Sequence, residues 1–327
     1  MKKYIKKFIS ILIVFAMMSA FASCQQDDYQ VRLSNPIANA TTVKVYEYIA
    51  SLGGKYCISA QQESTWIDGD HYETDYIFNA SGKYPAMRGL DYMNDDFDGV
   101  NQRAIEWWNK GGLVTICWHT GSDFYGEWSD SMNDEITDWD AVFTPDTPEN
   151  KALIDGMDKA AKALKELENQ GVTVLWRPFH EFDGKWFWWG KGDADNFVKL
   201  WQTMYDRYTN HWQLNNLIWV LGYSHQGEDC KDWYPGDEYC DVIGADTYEI
   251  EEHGKLYNKV SKVADNYKPL CLHECGANPT AEDLQNTGWY WFMTWHTEYL
   301  MDTNSAQQIN SLYNSENIIT LDELPEF

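Results

Sequence analysis

Basic residues are scarce in this sequence. Only 25 of its 327 residues are Lys or Arg, whereas 51 are Asp or Glu, and the formal net charge is −26. A strongly acidic surface repels phosphate backbones, so the composition argues against nucleic acid or an anionic substrate as the main partner. A neutral or cationic ligand is expected instead.

The motifs that commonly bind zinc are also missing. The sequence contains no C-x-x-C pair and no H-E-x-x-H motif, so a zinc site is not supported by local spacing. Cys230 and Cys240 lie in one Gly/Asp-rich stretch and can form a local disulfide in an oxidising compartment. Three other cysteines lie in apolar, strand-like runs and are expected to be small buried hydrophobes. These are Cys57, Cys117 and Cys271.

The first 23 residues read as a secretory signal peptide rather than a membrane-spanning helix. Four lysines precede an apolar run over residues 8–18, and small residues follow. Residues 20–24 resemble a bacterial lipoprotein cleavage box, in which Cys24 becomes the lipidated first residue; cleavage by an ordinary signal peptidase is the alternative. Loss of the four lysines changes the formal charge from −26 to −30. We expect residues 24–36 to form a tether and the protein to be anchored in the outer membrane and exposed at the surface, or else secreted.

The remaining chain, residues 37–327, is predicted to fold as one (β/α)8 TIM barrel. Short apolar runs alternate with longer helical patterns, which is typical of parallel βα units, and no Pro- or Ser-rich linker divides them. Amphipathic patterns predict helices over residues 150–170 and 194–208. The eight predicted strands cover residues 55–60, 84–90, 113–119, 172–179, 216–222, 241–246, 269–273 and 290–295.

A long aromatic and acidic insertion, residues 121–148, follows the third predicted strand. Loops at the C-terminal end of barrel strands carry the active site, so we expect this insertion to form a wall of the cleft.

Glu181 and Glu274 each follow an apolar strand and each is preceded by a histidine. They are 93 residues apart, or three steps of about the 30-residue length of a βα unit. In a closed barrel both carboxylates would point into the same opening. Paired carboxylates suit glycoside hydrolysis: a separation of about 5 Å favours a retaining mechanism, and about 6.5–9.5 Å an inverting one.

Aromatic residues are abundant, at 16% of the chain with 17 Trp and 21 Tyr, and four of them are consecutive at residues 186–189. Sugar rings present flat C–H faces that stack on such side chains. Because alternate residues of an extended run face opposite sides, some must belong to the core. We expect Trp186 to face the ligand.

Several blocks together resemble family 26 glycoside hydrolases, which are mostly β-mannanases, over nearly the whole mature chain. The blocks are residues 177–181 with 186–190, and then 115–119, 241–248, 269–276 and 292–296. The resemblance implies a retaining (β/α)8 barrel enzyme that acts on β-mannan and needs no metal or cofactor. We expect it to be a monomer.

The resemblance implies roles for the two carboxyl groups. Glu181 is similar to the family's acid/base, and Glu274 to its nucleophile. Tyr248 is similar to a tyrosine that hydrogen-bonds the nucleophile, and such a bond is expected to lower the pKa of Glu274. Apolar walls and the negative charge of Glu274 are expected to raise the pKa of Glu181.

The resemblance also implies substrate-binding residues. His119 ends the third predicted strand and is expected to contact substrate, and Trp295 is expected to form the floor of a sugar subsite. His180 is expected to hydrogen-bond around the catalytic site, although a satisfied buried histidine is the alternative. The insertion holds Phe124, Trp128 and Trp139, any of which could match a distal-subsite tryptophan of the family.

The sequence also permits three other functions. His119, His180, Glu181, His273 and Glu274 could converge on a metal ion, as in barrel hydrolases that bind zinc. The chain could be a surface glycan-binding protein that has lost turnover, although a pure binder has no use for two matched carboxylates. Within the same family, a β-xylanase or a mixed-linkage β-glucanase is the alternative to a mannanase.

Overall fold

The computed structural model describes residues 32–227, 230–264 and 267–327. The predicted signal peptide and the lipidation candidate Cys24 lie outside these residues, as does most of the predicted tether. Residues Leu33–Phe327 form one compact unit. In the part of the chain that is described, no helix is long and apolar enough to span a membrane.

Eight parallel strands form a closed ring. Each strand pairs with the next one along the chain, and β8 pairs with β1 through Ile58 and Trp291. All eight predicted strands and the predicted (β/α)8 barrel are therefore confirmed. The strands are β1 Cys57–Gln62, β2 Met87–Asp91, β3 Leu113–Cys117, β4 Val174–Arg177, β5 Leu217–Tyr223, β6 Val242–Thr247, β7 Leu270–Cys275 and β8 Trp291–Thr294.

A ninth strand, β9 Ile318–Ile319, was not predicted because two residues are too few to show a pattern. It pairs with the first half of β1, at Cys57 and Ile58, whereas β2 pairs only with the second half.

Helices surround the barrel. The predicted helix over 150–170 is observed as Pro148–Asn169, with Thr147 as its N-cap and Pro148 in its first turn. The predicted helix over 194–208 is observed as Ala194–Asp206, followed by a short π-helix at Arg207–His211. The helices are α1 Ala40–Ser51, α2 Tyr72–Ser81, α3 Phe97–Asn109, α4 Trp128–Asn133, α5 Trp139–Phe143, α6 Pro148–Asn169, α7 Trp188–Lys191, α8 Ala194–Asp206, α9 His253–Val260, α10 Ala281–Thr287, α11 Glu298–Met301 and α12 Ala306–Tyr313.

The insertion after β3 contains α4 and α5, and its three aromatic residues have different environments. Phe124 is buried against Gly156, where a Cβ atom would lie only 2.0 Å from Phe124 Cβ. Trp139 stacks on Phe143. Trp128 is 43% exposed and lines a cavity at the C-terminal end of the barrel, so it contributes to a cleft wall.

The cysteines of the strand-like runs, Cys57, Cys117 and Cys271, are buried as predicted. The disulfide that could join Cys230 and Cys240 is not formed. Cys240 is a buried thiol whose Sγ donates to the Val242 carbonyl at 3.2 Å, so this side chain is directed at the backbone of β6.

Candidate active site

Glu181 and Glu274 meet at the C-terminal end of the barrel. Glu274 lies in β7, and Glu181 follows β4. The two side chains are 7% and 2% exposed, and one oxygen atom of each lies within 4.8 Å of the other and of an oxygen of Asp246. The equal registry predicted from their spacing therefore places both carboxylates in one site.

The backbone after β4 is bent so that Glu181 turns into the opening. Phe179 and Glu181 have positive φ angles of 50° and 56°, values that non-glycine residues rarely adopt. The Glu181 N–H donates to the Gly222 carbonyl at 2.7 Å, which fixes the turn against β5. Because of this bend, His180 and Glu181 both face the site, although adjacent residues of a regular strand would not.

Trp186 holds the Glu181 carboxylate. Its indole Nε1 donates to Glu181 Oε2 at 2.7 Å. The Trp186 ring packs closely against the backbone of residue 184, which must be a glycine because a Cβ atom there would lie 2.1 Å from the ring. Of the four consecutive aromatics, Trp186 is half-buried, whereas Phe187, Trp188 and Trp189 are buried.

Glu274 is surrounded by hydrogen-bonding groups. Arg177 Nη1 lies 2.5 Å from Glu274 Oε1, and Tyr248 Oη donates to Oε2 at 3.1 Å. His180 Nε2 lies 3.4 Å from Oε1. The hydrogen bond expected from Tyr248 is present, and His180 contacts the carboxylate although it is almost fully buried.

The pKa of Glu274 is shifted in the direction opposite to the one expected. Burial raises the pKa of Glu274 to about 7, Arg177 opposes this rise, and the nearby Glu181 adds to it. The hydrogen bond from Tyr248 therefore does not produce the lowered pKa that we expected. The reason is that burial among several strands disfavours the charged form more than the polar neighbours favour it.

Asp246 completes a group of three carboxyl groups. A register shift between Ala245 and Asp246 places Asp246 opposite Glu274 in the β6–β7 pair. Burial, followed by the negative charges of Glu181 and Glu274, raises the pKa of Asp246 well above its usual range. The charged form of Asp246 is therefore disfavoured within this group.

His119 is held by Asp91 at the end of β2. The His119 backbone N–H donates to Asp91 Oδ1 at 3.0 Å, and its Nδ1 lies 2.5 Å from Oδ2. Burial favours the neutral form of Asp91, but the His119 imidazole, the His119 backbone N–H and Arg177 together outweigh it and lower the pKa of this carboxyl group. The His119 ring packs edge-on against His180, with centroids 4.8 Å apart.

A cavity of about 520 Å³ lies on the β8–β1 side of the site. It is lined by aromatic side chains from three loops, among them Trp66, Trp128, Trp295 and Tyr299, together with His296. The structure therefore places the predicted subsite residue Trp295 in a wide aromatic recess.

The metal-binding alternative is not favoured by this geometry. His273 lies inside the barrel, with Nδ1 3.2 Å from Arg177 Nη1 and Nε2 3.2 Å from the Tyr223 carbonyl. The Arg177 guanidinium already contacts both His273 and Glu274, so a metal ion between them would face a fixed positive charge.

Sequence reasoning missed three residues of the site: Arg177, Asp246 and Asp91. Each is a charged residue at the end of an otherwise apolar strand run. Arg177 and Asp246 lie inside blocks that carried the family resemblance. The location of a charged residue at the end of an apolar strand run could have identified all three, because buried charged residues are rarely found without a partner.

Comparison with known proteins agrees with this geometry. The family model described as glycosyl hydrolase family 26 matches residues 34–323. A mannan endo-1,4-beta-mannosidase of Thermothelomyces thermophilus is 32% identical, over 92% of this chain and 65% of the relative. A mannan endo-1,4-beta-mannosidase A and B of Caldalkalibacillus mannanilyticus is also 32% identical, over 84% of this chain and 58% of the relative. The chain thus spans less than two thirds of the length of these curated relatives.

Solved structures give the same result. A ruminal GH26 endo-beta-1,4-mannanase superimposes with a TM-score of 0.82 at 29% identity, covering 92% of this chain and 72% of that one. A beta-mannanase from a symbiotic protist of the termite Reticulitermes speratus, complexed with gluco-manno-oligosaccharide, has a TM-score of 0.80 at 31% identity, covering 91% and 98%. The chain described here belongs to glycosyl hydrolase family 26.

Proposed function

We propose that this protein is a retaining glycoside hydrolase that cleaves β-1,4-mannosidic bonds in mannan, glucomannan or galactomannan. The observation that carries the proposal is the approach of Glu181 and Glu274 to within 4.8 Å in one site. This approach is closer than the separation of about 6.5–9.5 Å that leaves room for a water molecule in inverting enzymes, so it favours a retaining mechanism. The substrate class is supported by relatives that are named mannan endo-1,4-beta-mannosidases.

In the first step, ionised Glu274 attacks the anomeric carbon while protonated Glu181 gives its proton to the glycosidic oxygen. The bond between that oxygen and the anomeric carbon breaks, the leaving sugar departs with the proton, and Glu274 becomes a neutral glycosyl ester. In the second step, Glu181 removes a proton from a water molecule that attacks the same carbon. The sugar leaves with its configuration retained, and both carboxyl groups return to their starting forms.

The surroundings support this division of roles. Glu274 is paired with the permanent cation of Arg177, which favours its charged form. Glu181 has the Trp186 indole as its hydrogen-bond partner and no comparable cation in the ion pairs of the described residues. The Arg177 cation therefore favours the ionised form of Glu274, which is the form that a nucleophile requires.

The proposed substrate-binding residues surround this pair. His119 and His180 stack edge-on beside the nucleophile, Trp186 lies beside the acid, and Trp295 lies in the aromatic cavity. Tyr248 hydrogen-bonds Glu274, so we assign it to orientation of the nucleophile.

The location of the protein is part of the proposal. The lipoprotein-like segment ending at Cys24 supports an anchor in the outer membrane, and the acidic residues after it support display at the surface. A neutral polysaccharide such as mannan is compatible with the acidic charge of the mature chain, and the proposed chemistry needs no cofactor.

The direct test is product analysis on soluble mannan, glucomannan, galactomannan, xylan and mixed-linkage glucan, with NMR detection of the first anomer released. We expect hydrolysis of the mannans with the β-anomer appearing first. Hydrolysis of xylan or mixed-linkage glucan alone would replace the substrate assignment, and an α-anomer released first would contradict the retaining mechanism. Binding to mannan without any turnover would instead favour a glycan-binding protein.

A further inference from the structure

Glu73 is a buried carboxylate that lies outside the catalytic group. It is in the first turn of α2 and is 1% exposed. Its carboxylate accepts hydrogen bonds from Ser64 N at 3.1 Å and from Thr297 N at 3.2 Å, and it also accepts a short one from Ser64 Oγ. Ser64 follows β1 and Thr297 follows β8, so one side chain joins two active-site loops.

The Thr297 end of this connection has an unusual backbone. Its φ and ψ angles are 50° and −117°, a combination that residues with a side chain adopt only where their surroundings hold them. Glu73 accepts the N–H of this residue. A second connection runs parallel to it, because Gln61 Nε2 donates to the Trp295 carbonyl at 3.2 Å. The β8 loop is therefore connected to the β1 loop through Glu73 and to strand β1 itself through Gln61.

The two joined loops carry Trp66 and His296, whose rings pack edge-on with centroids 4.8 Å apart. Both residues line the cavity of about 520 Å³, and Trp66 is 52% exposed. A half-exposed tryptophan that is braced from one side presents a flat face on which a sugar ring can stack.

The residues that line this cavity lie at or after the ends of β1, β2, β3 and β8, whereas Trp186, which hydrogen-bonds the proposed acid, follows β4 and does not line it. The acid protonates the oxygen of the leaving sugar, so the leaving part of the chain lies on the Trp186 side. The part that is transferred to Glu274 then extends toward Trp295, His296 and Trp66.

We infer that Glu73 is a positioning residue that holds Trp66 and His296 as a preformed stacking wall, and that this wall sets the preference for a long transferred chain. The inference rests on the proposed function. Glu73 takes part in no chemical step and acts only through the two loops that its carboxylate joins.

The test compares two dinitrophenyl β-glycosides, the mannoside and the mannotrioside, in the full chain and its variants. The leaving group is the same, so the ratio of their kcat/KM values measures the contribution of the distal sugars. In Glu73→Gln, an amide NH2 would face an N–H donor, and we expect this ratio to fall about tenfold through KM of the trioside. Trp66→Ala should produce a similar fall, and the double variant should add little to either.

Thr74→Val is the matched control. Thr74 lies in the same helical turn and is also buried, but its Oγ1 donates only to the His71 carbonyl, so the ratio should not change. If Glu73→Gln does not fold, Ser64→Ala removes one donor and keeps the backbone N–H, and it should lower the ratio in the same direction. An unchanged ratio in a folded Glu73 or Ser64 variant, or equal losses on both substrates, would overturn the inference. A wild type that hydrolyses neither glycoside nor mannan would instead refute the proposed function.

Discussion

Arg177 and Glu274 form an ion pair inside the barrel, with Nη1 2.5 Å from Oε1 and both side chains at most 2% exposed. Breaking a buried pair by removing one partner costs about 3–5 kcal/mol, because the other charge remains buried. Protonation of Glu274 would remove that charge, so the cost must depend on pH.

The variant Arg177→Met tests this dependence. The pKa of Glu274 is already raised from 4.5 to about 7, and loss of the guanidinium should raise it further. A carboxyl group whose pKa is higher in the folded protein than in the unfolded chain makes folding less favourable as the pH rises above its unfolded pKa. The variant should therefore lose more stability at about pH 8 than at about pH 5. Urea unfolding at the two pH values measures it. Lys110→Met, which breaks the exposed pair with Glu106, is the control and should lose little at either pH.

The pH profile of the wild type follows from the same group. The proposed nucleophile acts in its ionised form, which is lost as pH falls through about 7. We expect kcat/KM on mannotetraose to fall about tenfold per pH unit on the acid side of this value. Tyr248→Phe removes a hydrogen bond to ionised Glu274, so the acid limb of the pH profile, where kcat/KM falls, should move to higher pH. An acid limb that does not move in this variant would show that another group controls it.

Replacement of the proposed nucleophile should abolish turnover. In Glu274→Ala no glycosyl ester can form, so we expect mannan hydrolysis to fall by about 10⁴-fold or more, while circular dichroism shows a folded barrel. A folded variant with normal activity on mannan would refute the assignment of Glu274.

Replacement of the proposed acid should have an effect that depends on the leaving group. In Glu181→Ala, mannan hydrolysis should slow by about 10²–10⁴-fold. Dinitrophenyl glycosides should be affected much less in their first step, because their leaving group departs without a proton. Comparison of the pre-steady-state burst with steady-state turnover separates the two steps. Equal losses on both substrates in the first step would contradict the role of Glu181.

Treatment with a chelator should leave activity unchanged. The positive charge beside Glu274 is supplied by Arg177, and the proposed chemistry involves only carboxyl groups. Activity on mannan before and after dialysis against EDTA measures this. A large loss that added zinc restores would move the assignment to a metal-dependent hydrolase.

The barrel was predictable because strands buried on both faces leave continuous apolar runs, and the eight runs lie within a few residues of the observed strands. The pairing of Glu181 with Glu274 was predictable from βα spacing. Other features depend on how neighbouring strands pair and how the loops after them pack. The register shift that places Asp246 opposite Glu274 and the left-handed backbone at Phe179 leave no local pattern. The prediction of a lowered pKa for Glu274 was wrong because burial, which raises it, is a property of the whole barrel.

The ninth strand affects how the ring is closed. Where β1 begins, its partner on one edge is β9 and not β2, and Ser59 Oγ donates to the Ile319 carbonyl at 2.8 Å. Residues near the far end of the described chain thus pair with the first half of β1, which β2 does not reach. This half of β1 can complete its pairing only after residues 318–319 have been made, so a nascent chain that stops before them leaves that edge of the strand unpaired.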